Sequence, residues 1–169
     1  MGNFLSVPIL AIAVAFQATL MTQIRLLGGA PDLVFLIVLS WAINARLEDA
    51  VLWAFIGGIM QDLMSSAPTG ASVLGMLLVV FAIGGLGGQV YRLGFVTLLG
   101  VVIIGTAIQH ITMMGVLAIN GYRLDLITDL AYVTAPTIFY NLIFIGPIYW
   151  VIRRLQQQMR RPDSTVSFR

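Results

Sequence analysis

The stretch AFIGGIMQDLMSSAPTGASVLG, residues Ala54 to Gly75, sets one acid inside an otherwise apolar run. It is greasy up to Gly57-Gly58, carries Asp62, breaks at Ser65-Ser66-Ala67-Pro68-Thr69-Gly70 and turns apolar again. A carboxylate at the centre of a membrane helix costs roughly 2.5–3.5 kcal/mol, and less toward an end. Gly57 and Gly58, one turn earlier, let a second backbone come close. Pro68 and Gly70 signal a tight turn and the opening of the next helix. The stretch therefore reads as the end of one span, a short hairpin and the start of the next, with an acid at the bend.

Composition agrees with a membrane setting. Of 169 residues, 59% are hydrophobic and 9% are charged. A soluble domain carries charge on about a quarter of its residues. There is no Cys, which excludes disulfides, thiolate metal sites and cysteine nucleophiles. There is no Lys either, so all nine basic side chains are Arg. No Lys or Arg precedes the first apolar run, so a retained span is expected there rather than a secretory signal. No soluble domain is expected at either end.

Working outward, the charged residues divide the chain into six apolar segments. The first runs from Asn3 to Ile24, about 22 residues and enough for a ~30 Å hydrocarbon core. Pro31-Asp32 opens the second, which reaches about Ala45; proline and an acid suit the free amides and positive dipole of a helix start. Arg46, Glu48 and Asp49 read as a loop, and the third segment follows from Ala50 to about Ser66. The second and third segments are short, at or below the lower limit for a span. They are expected to be two short spans rather than a hairpin that fails to cross. The fourth runs from Gly70 to Val90 with a Gly84–Gly88 small-residue pair suited to close packing. The fifth runs from Gly94 to Ala118 with Gln109 and His110, and the sixth from Leu126 to Ile152 with Pro136, Asn141 and Pro147. The expected organisation is an all-α, six-helix transmembrane domain over residues 1–152 and a basic cytoplasmic tail over 153–169.

Six spans put both termini on one side. Arg46, Arg92, Arg153, Arg154, Arg160, Arg161 and Arg169 then share that side, against Arg25 and Arg123 opposite. Seven against two orients both ends toward the cytoplasm. Asp32 and Asp62 then fall near the outer end. Each has two readings: part of a shared polar site, or a local partner, which for Asp62 means turn amides near Thr69 and Gly70. Asp62 sits where the helix dipole disfavours an anion, so some specific partner must offset that. One His and no Cys cannot make a zinc site, and an interhelical hydrogen bond is expected of His110. No serine has a triad motif around it. In the tail, Arg153, Arg154, Arg160 and Arg161 repeat at sevens, suited to anionic lipid headgroups or to a plain topology anchor.

At Pro31-Asp32-Leu33, at Gly58-Ile59-Met60-Gln61-Asp62-Leu63 and at Gly70, the chain resembles the bacterial rod shape-determining MreD family. That resemblance implies a six-span inner-membrane protein with no enzymatic activity and no cofactor. It implies work alongside MreC, with the MreB filament, RodA and a class B penicillin-binding protein, in lateral peptidoglycan synthesis. It makes Pro31, Asp32, Gly58, Asp62, Pro68 and Gly70 the candidate motif for partner binding or structure. The family is also similar in fold to substrate-binding subunits of energy-coupling-factor transporters, which leaves a small-molecule-binding transporter subunit as the alternative. Membrane lipid is an expected partner and nucleic acid is not.

Overall fold

The computed structural model describes residues 6–20, 29–65, 68–85, 94–122 and 130–159. Among these the protein is all-helical, with no strand. The helices are α1 (Ser6–Leu20), α2 (Leu33–Asn44), α3 (Leu47–Leu63), α4 (Ala71–Gly85), α5 (Phe95–Ile119) and α6 (Ala135–Met159). A π-helical turn, Leu130–Thr134, leads into α6. Pro136 follows that turn and has no N–H to return to residue 132, a local cause for a widened turn.

Two boundaries differ from expectation for electrostatic reasons. Glu48 and Asp49 are not loop residues but the first turn of α3, where a helix start favours acids. Arg46 is left as the residue before the helix, and its guanidinium meets Asp49 at 3.5 Å. At the other end, α6 continues through Arg153 and Arg154 to Met159. Arg160, Arg161, Arg25, Arg92, Arg123, Arg169 and Gly88 lie outside the described residues.

The shortest helix occupies the centre. Ten of the 12 residues of α2 are buried, and it packs on α1, α3, α4 and α6. Val34, Phe35, Leu36, Val38 and Leu39 supply the middle of the core, with Leu10 from α1, Trp53 from α3, Met76 and Val80 from α4, Val102 from α5 and Ile145 from α6. Near the end of α2, Trp41 stacks on Trp53 of α3 with centroids 3.9 Å apart and planes at 13°. Gln156, near the end of α6, donates to the Trp41 carbonyl at 3.1 Å.

These contacts fix helix directions. The ends of α2 and α6 meet at Trp41 and Gln156, and their beginnings meet at Asp32 and Asn141. They therefore run the same way. Helices α3 and α4 run opposite to one another, since Leu47 at the start of α3 lies against Gly84 at the end of α4.

The outer surface carries many large apolar side chains. Ile12, Phe16, Phe55, Leu74, Leu78, Phe81, Ile103, Ile104, Ile111, Phe139 and Ile143 are all exposed. Patches on that scale mark a surface made for something other than water. Two helical stretches, Phe95–Ile119 and Tyr132–Met159, are long and apolar enough to cross a membrane by length and composition. The remaining helices are shorter, so length alone does not carry a count of six spans.

Glycine sets the closest helix contact. A Cβ on Gly58 would lie 2.6 Å from the Val73 Cα and 2.8 Å from its backbone nitrogen, so α3 and α4 touch backbone to backbone. Gly58→Ala must push the two helices apart. It should destabilise the purified protein by about 1–3 kcal/mol, the range for overpacking. Gly100→Ala is the control, because a Cβ there meets nothing within 4 Å. Denaturant unfolding in detergent compares the two.

Candidate functional site

Asp32 precedes the first turn of α2, and its carboxylate gathers donors from four directions. Oδ1 accepts from the Phe35 amide at 3.0 Å, the usual capping geometry, and from Gln17 Nε2 of α1 at 3.4 Å. Oδ2 accepts from Gln61 Nε2 of α3 at 3.0 Å and Gln109 Nε2 of α5 at 3.1 Å. The negative charge also sits at the positive end of the α2 dipole. Three neutral amides, one backbone N–H and one helix start thus stabilise an acid that no described Arg pairs with.

The backbone is satisfied by the same side chains. The Asp32 N–H donates to Asn141 Oδ1 of α6 at 3.0 Å, and the Val34 N–H donates to Gln17 Oε1 at 3.1 Å. Gln17 therefore uses both ends of its amide on the start of α2. Asn141, fully buried, passes the network on by donating to Thr106 Oγ1 at 3.0 Å, and Thr106 donates to the Val102 carbonyl at 2.7 Å. Unpaired amides are costly away from water, and here side chains from α1 and α6 take up the free donors at the start of a short helix.

The cluster runs from the edge of the bundle inward: Asp32, Gln17 and Gln61 are half-buried, with Gln61 two residues before the end of α3, while Gln109 and Asn141 are buried. Gln109 stands ten residues before the end of α5, about 15 Å along its axis. Asn141 stands 11 residues after Leu130, where the π-helical turn begins. The non-helical backbone ahead of α2 packs against the start of α6. Gly29 shows how closely: a Cβ there would lie 2.7 Å from Pro136 Cβ and 2.8 Å from the Thr137 nitrogen.

Asp62 is engaged differently. It is 3% exposed; Oδ2 accepts from the Gly70 N–H at 2.6 Å and Oδ1 from the Ser72 N–H at 3.0 Å. These amides open α4. The carboxylate is thus unfavourably placed at the end of α3 and favourably placed at the start of α4, and the second effect offsets the first. Gly70 has φ +101°, a conformation that favours glycine, and Pro68 accepts from Ala71 N–H to close the turn.

The motif residues therefore form one spatial unit. Asp32 and Gln61 are hydrogen-bonded, Gly58 is pressed on Val73, and Asp62 holds the Gly70 turn. Pro31 is buried beside Asp32. His110 lies next to the cluster, its Nδ1 2.9 Å from Thr134 Oγ1 on the π-helical turn. Among the described residues no group of three or more His, Asp or Glu is placed to hold a metal. Sequence reading did not assign Gln17 or Gln61 a role, and it treated Gln109 and Asn141 separately from Asp32. The signal was available: each is an amide side chain within an apolar segment.

An apolar exterior and two helices long and apolar enough to cross a membrane are consistent with a helical membrane protein. The chain belongs to the rod shape-determining MreD family, whose model matches residues 1–159. Comparison with curated proteins and with solved structures gives no match. Membership makes it a shape-determining membrane protein of the rod-shape system.

Removing the acid at the cluster should loosen the whole bundle. Asp32→Leu leaves four donors without their acceptor and should cost about 2–3 kcal/mol, at roughly 0.6 kcal/mol for each polar contact in a membrane protein. Asp32→Asn keeps one acceptor oxygen and should cost about half as much. Unfolding of each variant in detergent, followed by circular dichroism, checks the order.

Proposed function

We propose that this protein is a non-enzymatic, multi-pass component of the bacterial cytoplasmic membrane that binds MreC and helps to organise lateral peptidoglycan synthesis, with RodA, a class B penicillin-binding protein and MreB in the same machinery. The carrying observation is the family match across residues 1–159. The internal tying of both carboxylates suits a scaffold, because side chains that hold helices in place preserve the shape of an outer surface. Asp62 and the Pro68–Gly70 turn then present a fixed edge between α3 and α4 to MreC.

The proposed topology has six spans with cytoplasmic termini. The seven-to-two arginine distribution supports it. The opposed directions of α3 and α4 are compatible with it. The short helices α2 and α3 cross as part of a bundle in which polar side chains satisfy the helix ends.

Two measurements test this reading. Copurification from membranes should recover MreC with the wild-type protein. Asp62→Leu, which removes the acceptor for Gly70 and Ser72, should recover several-fold less at equal membrane levels. Full capture by Asp62→Leu would exclude the turn from the contact, and no capture by the wild type would overturn the proposal. For topology, a cysteine at Ser167 in this Cys-free chain should resist labelling from outside intact cells, and labelling there would overturn cytoplasmic termini.

A further inference from the structure

We infer that one face of α6, from Phe139 to Gln157, forms a binding site for one anionic glycerophospholipid, with its phosphodiester held by Arg153 and Arg154 and an acyl chain laid along Phe139, Ile143 and Pro147. Phe139, Ile143, Pro147, Trp150 and Arg154 follow one another at four, four, three and four residues, which places them on one helix face. All five are exposed. Beside them a Cβ on Gly146 would meet nothing within 4 Å, so the stripe is flanked by open space. From Phe139 to Trp150 the helix rises about 16 Å, close to half of a ~30 Å hydrocarbon core.

The polar end of the stripe is a hollow of about 370 Å³ lined by Trp150, Arg153, Arg154 and Gln157. The Arg154 guanidinium lies 5.4 Å from the centre of the Trp150 ring, which holds it over the aromatic face. No described carboxylate pairs with Arg153 or Arg154; the ion pair among the described residues is Arg46–Asp49. Nor do these arginines serve the helix end. The last turn of α6 contains no basic residue, and dipole effects fade within one turn. Two guanidiniums therefore face outward without an internal anion. A phosphodiester offers the oxygens that their forked donors fit. Tryptophan at this level suits the boundary between headgroup and chain. A zwitterionic headgroup fits less well, because its ammonium meets the same two arginines.

Native mass spectrometry of the full-length protein in detergent, titrated with dioleoyl phosphatidylglycerol and dioleoyl phosphatidylethanolamine, tests the site. Wild-type protein should retain phosphatidylglycerol roughly tenfold in preference, given two basic residues at a membrane surface. The double variant Arg153→Gln/Arg154→Gln should lose that preference, and Arg46→Gln should keep it. Equal retention of the two lipids by the wild type, or an unchanged preference in the double variant, would overturn the site. Glycerol phosphate should not displace the lipid at matched concentration; displacement would mean that the apolar stripe contributes nothing and the inference fails. A second readout needs no charge variant. Phosphatidylglycerol brominated on its acyl chains should quench wild-type tryptophan emission more than brominated phosphatidylethanolamine, and Trp150→Phe should remove the difference. Persistence of the difference in Trp150→Phe would locate the lipid elsewhere.

Discussion

A carboxylate inside a bundle of apolar helices is tolerable only if donors reach it from the protein itself. Asp32 meets that condition with the amides of Gln17, Gln61 and Gln109 and with its own helix start. Much of the architecture depends on it. It satisfies the start of α2, the shortest of the helices. It ties α1, α3 and α5 to one point, while Asn141 brings α6 to the same backbone. Because each donor is neutral, the tie works through direction and contact rather than charge cancellation, and it holds the helices at defined rotations.

Asp62 solves a related problem more locally. It joins the end of one helix to the start of the next, using the two peptide N–H groups that the turn exposes. The glycines complete the arrangement. Gly58 brings α3 close enough to α4 for that carboxylate to reach, and Gly29 brings the chain ahead of α2 against α6. Carboxylates set which ends meet, and glycines set how near they come.

Much of this could be read from the sequence. Charge spacing located α2, α3 and α5 to within a few residues but ended α6 seven residues early, and Pro31-Asp32 marked the start of α2. The glycine contact at Gly58 followed from its place one turn before the acid, and the turn amides near Gly70 were among the partners considered for Asp62. Long-range convergence was not legible. Gln17, Gln61 and Gln109 stand 15, 29 and 77 residues from Asp32, and no local pattern reports that they share an acceptor. The start of α3 was misplaced because Glu48 and Asp49 suit a loop and a first helical turn equally well.

The order of the Asp32 partners along the chain has a consequence for synthesis. When Asp32 emerges, Gln17 has already been made. Gln61 follows 29 residues later and Gln109, the last of the three amides to reach the carboxylate, after 77; Asn141, which accepts from the Asp32 N–H, comes after 109. At roughly 5–20 residues per second the carboxylate waits about 4–15 s for its last donor and the N–H about 5–20 s for its acceptor. For that interval the start of α2 carries polar groups without their final partners. The bundle is thus closed from its C-terminal half, and a chain stopped before α6 would keep the start of its central helix open.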